Sequence, residues 1–279
     1  MNDISITEHT IDVDKIVRSK FKNMPRFVIK YLKKILHEDD LNEGLYNMKQ
    51  YEGVDFATAT IKWLDCNVEI KNPERIPAEG RRLLVSNHPL GGLDGVAIIS
   101  EVGKIRRDII FPVNDFLLAL PNLRSVFIPI NKVGNNVQNH SQFQEAFNSD
   151  NMLLYFPAGL VSRKLSRGVI ADLKWKKTFI TKAKETKRDI IPVFTDGQNS
   201  HFFYNLARLR ERLGIKVNIE MAYLVDEMYK QRGKKITLVV GKPIPYTTFD
   251  SRYKDILWAA KVREHVYKLK DHPDAVFEA

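Results

Sequence analysis

From residue 65 to residue 245, short apolar runs of strand length alternate with segments of helical periodicity, and this alternation constrains the fold more than any other feature. The apolar runs occupy residues 65–71, 82–86, 109–112, 126–130, 152–156, 190–194, 216–223 and 235–240. Helical segments lie between several of them, at residues 93–102, 114–120, 137–149, 174–187 and 202–212, and a last amphipathic segment covers 251–270. This order predicts an α/β fold, with a mostly parallel central sheet flanked by helices.

Residues 13–38 predict two amphipathic helices with an unusual distribution of charge. Apolar residues recur there at three- and four-residue steps, and Pro25 is placed to open the second helix. Eight bases and no acid lie between Asp14 and Glu38. A basic helix with an apolar face suits the surface of an anionic bilayer, and a packing helix with a basic solvated face explains the pattern equally well. Further helix is predicted at residues 41–64. We therefore divide the chain into an N-terminal helical region, residues 1–72, as the candidate for membrane association, and a second domain, residues 73–279.

Composition and charge exclude a spanning membrane protein and favour an anionic partner. No stretch approaches 18 consecutive apolar residues, and the acidic N-terminus lacks the apolar core of a signal peptide. The single cysteine, Cys66, agrees with a reducing compartment. The formal net charge of +10 suits nucleic acid, an anionic lipid surface or an acidic small molecule, and charge alone does not choose among them. We predict a cytoplasmic protein that binds peripherally to the inner face of the cell membrane.

The segment from Val85 to Gly95, VSNHPLGGLDG, is the part of the sequence that predicts chemistry. A buried strand runs into His88, and Asp94 follows after a proline and two glycines. Loops at the carboxyl ends of strands often hold catalytic groups in α/β proteins, and glycines allow the tight turns that bring two side chains together. An Asp that accepts a hydrogen bond from one imidazole nitrogen leaves the other nitrogen free to take a proton. The pair is the base-and-orienter half of a catalytic triad, so the attacking nucleophile would belong to the substrate.

A structural role and a metal site are the two other interpretations of His88. A lone His in a turn is typical of a helix cap or a satisfied core residue, but the glycine-rich loop and the downstream Asp94 favour a functional His88. A metal site needs more ligands than one His and one Asp, and no other His lies at a ligand spacing. No metal is therefore predicted.

The segment NHPLGGLDG resembles the first motif of the glycerolipid (lysophospholipid) acyltransferase superfamily, in which a His and an Asp a few residues later serve the acyl transfer. Three further blocks follow in the order of that family: FIPINK at residues 127–132, YFPAG at 155–159 with Ser162 and Arg163 after it, and IIPVF at 190–194. The resemblance covers about residues 80–245. It implies an acyltransferase domain in which His88 and Asp94 are the catalytic residues.

The chain departs from the family pattern at positions that are associated with the glycerol phosphate acceptor. Five residues separate His88 from Asp94 where four are usual, no Arg follows the Phe-Ile pair of the second block, and Ala158 stands where the third block usually has Glu. Arg163 also lies farther downstream than usual. Arg is the preferred partner of phosphate, so these departures predict an acceptor other than lysophosphatidic acid. The variant pattern is similar to a hemolysin-like branch that includes acyltransferases of amino-acid-containing lipids, such as ornithine or glycine lipids.

The resemblance implies transfer of a fatty acyl group from a thioester, on acyl carrier protein or coenzyme A, to the hydroxyl of a lysolipid, without a further cofactor. His88 would take the hydroxyl proton, Asp94 would hold the imidazolium, and backbone N–H groups of a Gly-containing loop would stabilise the oxyanion. The residues predicted to line the substrate, or to shape the loops that do so, are Asn87, Asn131, Lys132, Pro157, Gly159, Ser162 and Arg163. Solvated surface charge is the alternative interpretation of Lys132 and Arg163.

Four other functions stay open at this point. The first is a lysophosphatidic acid acyltransferase of phospholipid synthesis, and the second is a hydrolase in which His88 activates water. The third is a catalytically silent lipid-binding relative, against which the intact His88 and Asp94 argue. The fourth is a basic nucleic-acid-binding protein. The sequence contains no zinc pattern, RNA-recognition aromatic motif or helix-turn-helix signature, so no nucleic-acid partner is predicted.

Overall fold

The computed structural model describes residues 10–113, 117, 120–129, 137–165 and 168–279, with the backbone alone for residues 20 and 137–140. The α-helices are α1 (Val13–Lys20), α2 (Arg26–Ile35), α3 (Glu38–Asn47), α4 (Gly53–Trp63), α5 (Gly92–Val102), α6 (Val137–Asn148), α7 (Thr178–Thr186), α8 (His201–Arg212), α9 (Leu224–Tyr229) and α10 (Asp255–Lys268). The strands are β1 (Asn67–Lys71), β2 (Arg82–Ser86), β3 (Ile109–Val113), β4 (Phe127–Pro129), β5 (Met152–Tyr155), β6 (Arg163–Lys164), β7 (Ile170–Ala171), β8 (Asp189–Asp196) and β9 (Lys235–Val240).

Within these residues, a seven-stranded sheet lies at the centre of the molecule, in the order β1-β9-β8-β2-β5-β3-β4. Neighbouring strands run parallel, except that β8 and β9 are antiparallel. β6 and β7 form a separate antiparallel hairpin. The predicted α/β fold, with a mostly parallel central sheet flanked by helices, is confirmed.

β2 lies in the middle of the sheet because its sequence, RLLVS, is nearly all apolar. Leu83, Leu84 and Val85 are at most 1% exposed, as expected for a strand that is covered on both faces. In register, Val85 pairs with Tyr155 of β5 and with Pro192 of β8. The carboxyl ends of these parallel strands therefore meet at one edge of the sheet, and the residues that follow β2 and β5 emerge side by side.

Two apolar cores form on the two faces of the sheet. Successive strand residues point to opposite faces, so Leu84 and Ile191 join the core beneath α4 and α5, while Leu83 and Ile190 join the core beneath α7 and α10. Trp258 of α10 is fully buried in the second core. α5, which begins in the loop after β2, lies almost wholly buried between the sheet and α4. This burial on both sides holds the start of α5 in a fixed position relative to β2.

The N-terminal region contains the predicted helices. α1 and α2 cover most of residues 13–38, with Pro25 directly before α2, and residues 41–64 hold most of α3 and all of α4. β1 pairs with β9 and so belongs to the central sheet. The division into residues 1–72 and 73–279 stays a prediction. In the part of the chain that the structure describes, every helix is too short or too polar to cross a membrane.

The predicted strand at residues 216–223 is wrong. The structure has an irregular segment there, followed by a 3-10 helix at Ile219–Tyr223, and no described strand pairs with it. The alternation of apolar and polar residues resembles a half-buried strand, but Ile215, Val217 and Ile219 are exposed. The predicted helix at residues 114–120 lies for the most part outside the described residues.

Candidate active site

His88 and Asp94 face each other across the loop that joins β2 to α5. The imidazole Nδ1 lies 2.9 Å from Asp94 Oδ2. The same carboxylate oxygen accepts hydrogen bonds from the backbone N–H groups of Leu90 (2.8 Å) and Gly91 (3.1 Å). Gly91 has a φ of +80°, a conformation that favours glycine, and this turn brings the chain back toward the imidazole. The prediction that the glycine-rich loop brings the two side chains together is confirmed.

The Asp94 carboxylate is shielded from solvent, whereas the His88 imidazole is partly accessible to solvent. Asp94 is fully buried, and its Oδ1 has no hydrogen-bond partner among the described residues. Burial raises the pKa of the Asp94 carboxyl, and the hydrogen bond from His88 opposes that shift. The His88 side chain is 17% exposed. Because Nδ1 faces the carboxylate, Nε2 is the nitrogen available for proton transfer.

Phe156 fixes the plane of the His88 ring. The two rings stack with centroids 4.3 Å apart and an interplanar angle of 21°. Phe156 also meets Phe111 edge-on, with centroids 5.4 Å apart. Phe111 in turn lies against Gly95, where an added Cβ would come within 2.7 Å of the Phe111 ring. The first and third sequence blocks therefore form one packed unit, because β2 and β5 are neighbours in the sheet.

A second buried carboxylate, Asp172, holds the backbone of His88. Its Oδ1 accepts hydrogen bonds from the backbone N–H of His88 (3.1 Å) and from the hydroxyl of Ser162 (2.5 Å). Its Oδ2 accepts a hydrogen bond from the indole of Trp175 (2.8 Å). The backbone N–H of Ser162 donates to the His88 carbonyl (2.8 Å), so the backbone is fixed on both sides of the imidazole.

Asn87 and Arg163, two predicted substrate residues, are occupied by contacts within the protein. The Asn87 amide donates to the Thr195 carbonyl (2.9 Å) and accepts from the Thr195 N–H (2.7 Å), which ties the His88 loop to β8. The Arg163 guanidinium donates to Glu220 (2.9 Å), and burial lowers its pKa. The alternative interpretation of Arg163 as a solvated surface charge is wrong, since the side chain is buried.

The remaining predicted residues are distributed around the loop after β5. Pro157 is buried, and its carbonyl accepts a hydrogen bond from the N–H of Lys176 (3.1 Å). Gly159 lies at an exposed turn with a φ of +65°. Asn131 and Lys132 lie outside the described residues. Substrate contacts of these residues, like those of Ser162, stay predictions.

A family model described as acyltransferase matches residues 13–276. The chain belongs to this acyltransferase family. The match begins at the first residue of α1 and ends beyond α10, so it includes the N-terminal helices as well as the sheet that carries His88 and Asp94. The recognition from four sequence blocks is thereby confirmed.

Two named relatives are similar to this acyltransferase over almost their whole length. Each is called a lyso-glycine lipid O-acyltransferase, one from Phocaeicola vulgatus and one from Bacteroides thetaiotaomicron. Both are 49% identical over 265 residues, which cover 93% of this chain and 95% or 97% of the relative. Among solved structures, the 1-acyl-sn-glycerophosphate (LPA) acyltransferase PlsC from Thermotoga maritima matches 94% of this chain and 90% of its own, at 17% identity and a TM-score of 0.48.

The sequence gives no signal for Asp172, although the structure places it beside His88. The two residues are 84 positions apart, and Asp172 follows a two-residue strand in no recognised block. Phe156 belongs to the third block, yet nothing in that block shows that its ring stacks on an imidazole. Both residues act through contacts that exist only after β2, β5 and the β6–β7 hairpin have come together.

Replacing Asp172 with asparagine is expected to lower kcat by roughly 10- to 100-fold, because an error of about 1 Å in the position of a catalytic group has a cost of this size. An asparagine side chain would present an NH₂ group, which only donates, in place of one of the two oxygens with which Asp172 now accepts hydrogen bonds from His88, Ser162 and Trp175. KM for the acceptor should change little. Steady-state kinetics and thermal unfolding of the purified variant would measure both effects.

The matched control is Trp175→Phe, which removes one hydrogen bond to Asp172 but leaves the bond to the His88 backbone. If Asp172 only stabilises the fold, both variants should lose activity in proportion to their loss of thermal stability. A positioning role requires that Asp172→Asn loses far more kcat than Trp175→Phe at a similar midpoint of unfolding.

Proposed function

We propose that this acyltransferase moves a fatty acyl group from a thioester donor to the hydroxyl of a lyso-glycine lipid, without a further cofactor. The observation that carries the proposal is the 49% identity, over 93% of the chain, to relatives that bear this activity in their names. The departures from the family pattern in the second and third blocks support this proposal. A glycine lipid has no phosphate at its head group, so it needs no arginine to bind one.

In the proposed reaction, His88 Nε2 takes the proton of the acceptor hydroxyl as its oxygen attacks the thioester carbonyl. A tetrahedral intermediate forms, and its collapse breaks the carbon–sulfur bond. The proton then passes from the imidazolium to the leaving thiolate, so the products are an ester and a free thiol. Asp94, 2.9 Å from Nδ1, keeps the imidazole in the tautomer that leaves Nε2 unprotonated at the start.

The burial of Asp94 supports its role toward the imidazolium. A carboxylate that is shielded from water attracts a neighbouring positive charge more strongly than a solvated one does. The backbone N–H groups of Leu90 and Gly91 hold the carboxylate in place without competing for its charge as a Lys or Arg would. The imidazolium is thus stabilised at the moment when the hydroxyl proton has been taken.

Direct transfer is favoured over an acyl-enzyme intermediate by the surroundings of His88. No hydroxyl or thiol side chain within the described ranges hydrogen-bonds to the imidazole. Ser162 lies closest along the hydrogen-bond network, but its hydroxyl donates to Asp172. The nucleophile that the pair would activate therefore comes from the substrate.

The acceptor is a lipid, so we infer that the enzyme works on the inner face of the cell membrane, with α2 against the anionic surface. Phe27 is 76% exposed, and Tyr31 is exposed one turn later on the same helix. Lys30 and Lys34 are exposed beside them, whereas Lys33 is paired with Glu38 at 2.9 Å. An exposed apolar side with flanking bases is the pattern of a helix that lies in the membrane interface.

Replacing Lys30 and Lys34 with glutamate is expected to weaken binding to anionic vesicles by roughly tenfold or more, since each base near such a surface contributes about 1 kcal/mol. Sedimentation with vesicles at low salt would measure the partition coefficient. Lys242→Glu with Lys254→Glu, two exposed bases elsewhere on the protein, is the matched control. Equal binding of the two double variants would show that α2 does not meet the membrane.

An acceptor comparison tests the proposed function directly. The purified protein would receive one acyl thioester, on acyl carrier protein or on coenzyme A, and in turn lyso-glycine lipid, lyso-ornithine lipid or lysophosphatidic acid. We expect the highest kcat/KM for lyso-glycine lipid, with one free thiol released per diacylated product. Preference for lysophosphatidic acid would assign the enzyme to phospholipid synthesis, and fatty acid release without an acylated acceptor would identify a hydrolase.

A further inference from the structure

Residues 208–219, at the end of α8 and in the segment that follows it, form a surface that the catalytic site does not explain. We call this surface the 208–219 ridge. Leu213 is 64% exposed and Val217 is 71% exposed, and three further aliphatic side chains, Leu209, Ile215 and Ile219, are also exposed. The surface of a soluble protein rarely has so many exposed aliphatic side chains in one place unless that place binds a partner or a membrane.

The ridge carries positive charge that its own acids do not balance. Arg208, Arg212 and Lys216 have no ion-pair partner in the part of the chain that the structure describes. The two acids nearby are already paired, Glu211 with Arg210 at 3.3 Å, and Glu220 with Arg210 at 2.9 Å. Glu220 is bound from its other side by Arg163. An anionic partner is therefore the electrostatic complement of the ridge.

The bases and the aliphatic side chains form two adjacent rows on the part of α8 that is turned away from the core. Arg208 and Arg212 are one helical turn apart, as are Leu209 and Leu213, and residues with this spacing are neighbours on a helix surface. The opposite side of α8 is buried. Between α8 and the β6–β7 hairpin lies an open groove of about 350 Å³, which is lined by four bases, one acid and two leucines: Arg163, Lys164, Arg208, Arg212, Glu211, Leu165 and Leu173. An apolar ridge beside a basic groove matches an interface that holds lipid headgroups next to acyl chains.

The ridge is joined to both the catalytic loop and α2. Just before α8, the Asn199 amide donates to the Pro89 carbonyl (3.1 Å), so the ridge begins about 10 Å along this helix from the His88 loop. Tyr223, at the end of the 3-10 helix that follows the ridge, has its hydroxyl 2.6 Å from that of Tyr31 in α2, and its ring contacts Phe202 at the start of α8. Phe202 is itself exposed and lies two helical turns before Leu209, so exposed apolar side chains continue from α2 to the ridge.

We propose that the 208–219 ridge is a second membrane contact, which binds an anionic bilayer together with α2. Leu213 and Val217 enter the boundary of the acyl chains, and Arg208, Arg212 and Lys216 lie at the headgroups. Two contacts on one bilayer strengthen binding and also fix the orientation of the enzyme, because the second contact forms at a high effective concentration. The proposal rests on the proposed function in one respect, that the acceptor is a lipid.

Two ridge variants and one control test the proposal. The first variant is Leu213→Ser with Val217→Ser, and the second is Arg212→Gln with Lys216→Gln. The control, Leu257→Ser with Lys254→Gln, changes an exposed aliphatic residue and an exposed base near the start of α10. Binding would be measured on vesicles of phosphatidylcholine with phosphatidylglycerol, and on phosphatidylcholine alone, because binding does not depend on which acceptor is used.

We expect both ridge variants to lose roughly 10- to 100-fold in partition onto the anionic vesicles, and the control to bind like the unchanged protein. The neutral vesicles should distinguish the variants, since only the serine variant removes the apolar contribution. With detergent-dispersed acceptor, both ridge variants should keep normal turnover. A failed acceptor assay with normal ridge effects would reject the proposed function but leave the ridge as a membrane contact.

Other occupants of the ridge would give different results. If the ridge joins two copies of the chain, sedimentation velocity should show a dimer that the serine variant dissociates, while vesicle binding stays unchanged. If it binds nucleic acid, the glutamine variant should lose affinity for a labelled oligonucleotide and keep its vesicle binding. Either result, or equal vesicle binding by the ridge variants and the control, overturns the proposal.

Discussion

The His88→Ala variant is expected to fold normally and to lose roughly 1,000- to 10,000-fold in kcat, which is the upper part of the range for a missing general base. Among the described residues, the His88 imidazole is the only side chain that hydrogen-bonds to Asp94, so no neighbouring base is placed to replace His88. The fold should survive because the side chain is partly exposed at the edge of the sheet and its main apolar contact is Phe156. Turnover of an acyl thioester by the purified variant, with its midpoint of thermal unfolding, would measure both expectations.

His272→Ala, which removes an exposed histidine near the C-terminus, is the matched control and should retain full activity. A folded His88→Ala protein with near-normal turnover would eliminate the proposed mechanism. A variant that is inactive because it is unfolded would be recognised by its thermal transition, and His88→Gln, which is closer in size to histidine, would then take its place.

The Asp94→Asn variant is expected to lose roughly 100- to 10,000-fold in kcat, by analogy with the same substitution in Ser-His-Asp proteases. One carboxylate oxygen, Oδ2, now accepts hydrogen bonds from His88, Leu90 and Gly91. An asparagine oxygen in that place would keep the contacts but lose the negative charge, and an asparagine N–H there would favour the wrong imidazole tautomer. Because Asp94 acts through His88, the double variant His88→Ala/Asp94→Asn should be no slower than His88→Ala alone.

Stability should respond to Asp94→Asn in the opposite direction to activity. Burial raises the pKa of the Asp94 carboxyl, so the folded protein binds this proton more tightly than the unfolded chain does. The contribution of this group to stability is therefore fully present below its unfolded value of 3.8 and is lost as the pH rises through the higher folded pKa. Asparagine does not titrate, so the Asp94→Asn variant does not lose stability in this way as the pH rises. Chemical unfolding at a series of pH values from 3.8 upward should show a smaller decline in the free energy of unfolding for the variant, and an identical decline would contradict a raised pKa.

The catalytic pair was predictable because everything that assembles it lies within one short segment. His88 and Asp94 are six positions apart, and the glycine between them with a positive φ, Gly91, makes the turn that joins them. The strand before this loop is recognisable by its run of buried aliphatic residues. In contrast, the segment at residues 216–223 has the alternation of a strand but no neighbour to pair with, and alternation alone does not distinguish a half-buried strand from an exposed segment.

Local sequence therefore determined the fold class, the edge of the sheet that carries chemistry, and the two side chains that face each other there. Only the tertiary structure decided which distant groups hold them: Asp172 on the His88 backbone, Thr195 on Asn87, and Phe156 on the imidazole ring. The tertiary structure also decided that Arg163 forms an ion pair with Glu220, while Arg212 and Lys216 have no ion-pair partner among the described residues. The physical reason is the range of the interactions. Hydrophobic periodicity and turn geometry act over a few residues along the chain, whereas hydrogen bonds and ion pairs depend on which atoms the packing of the strands and helices brings within about 3 Å.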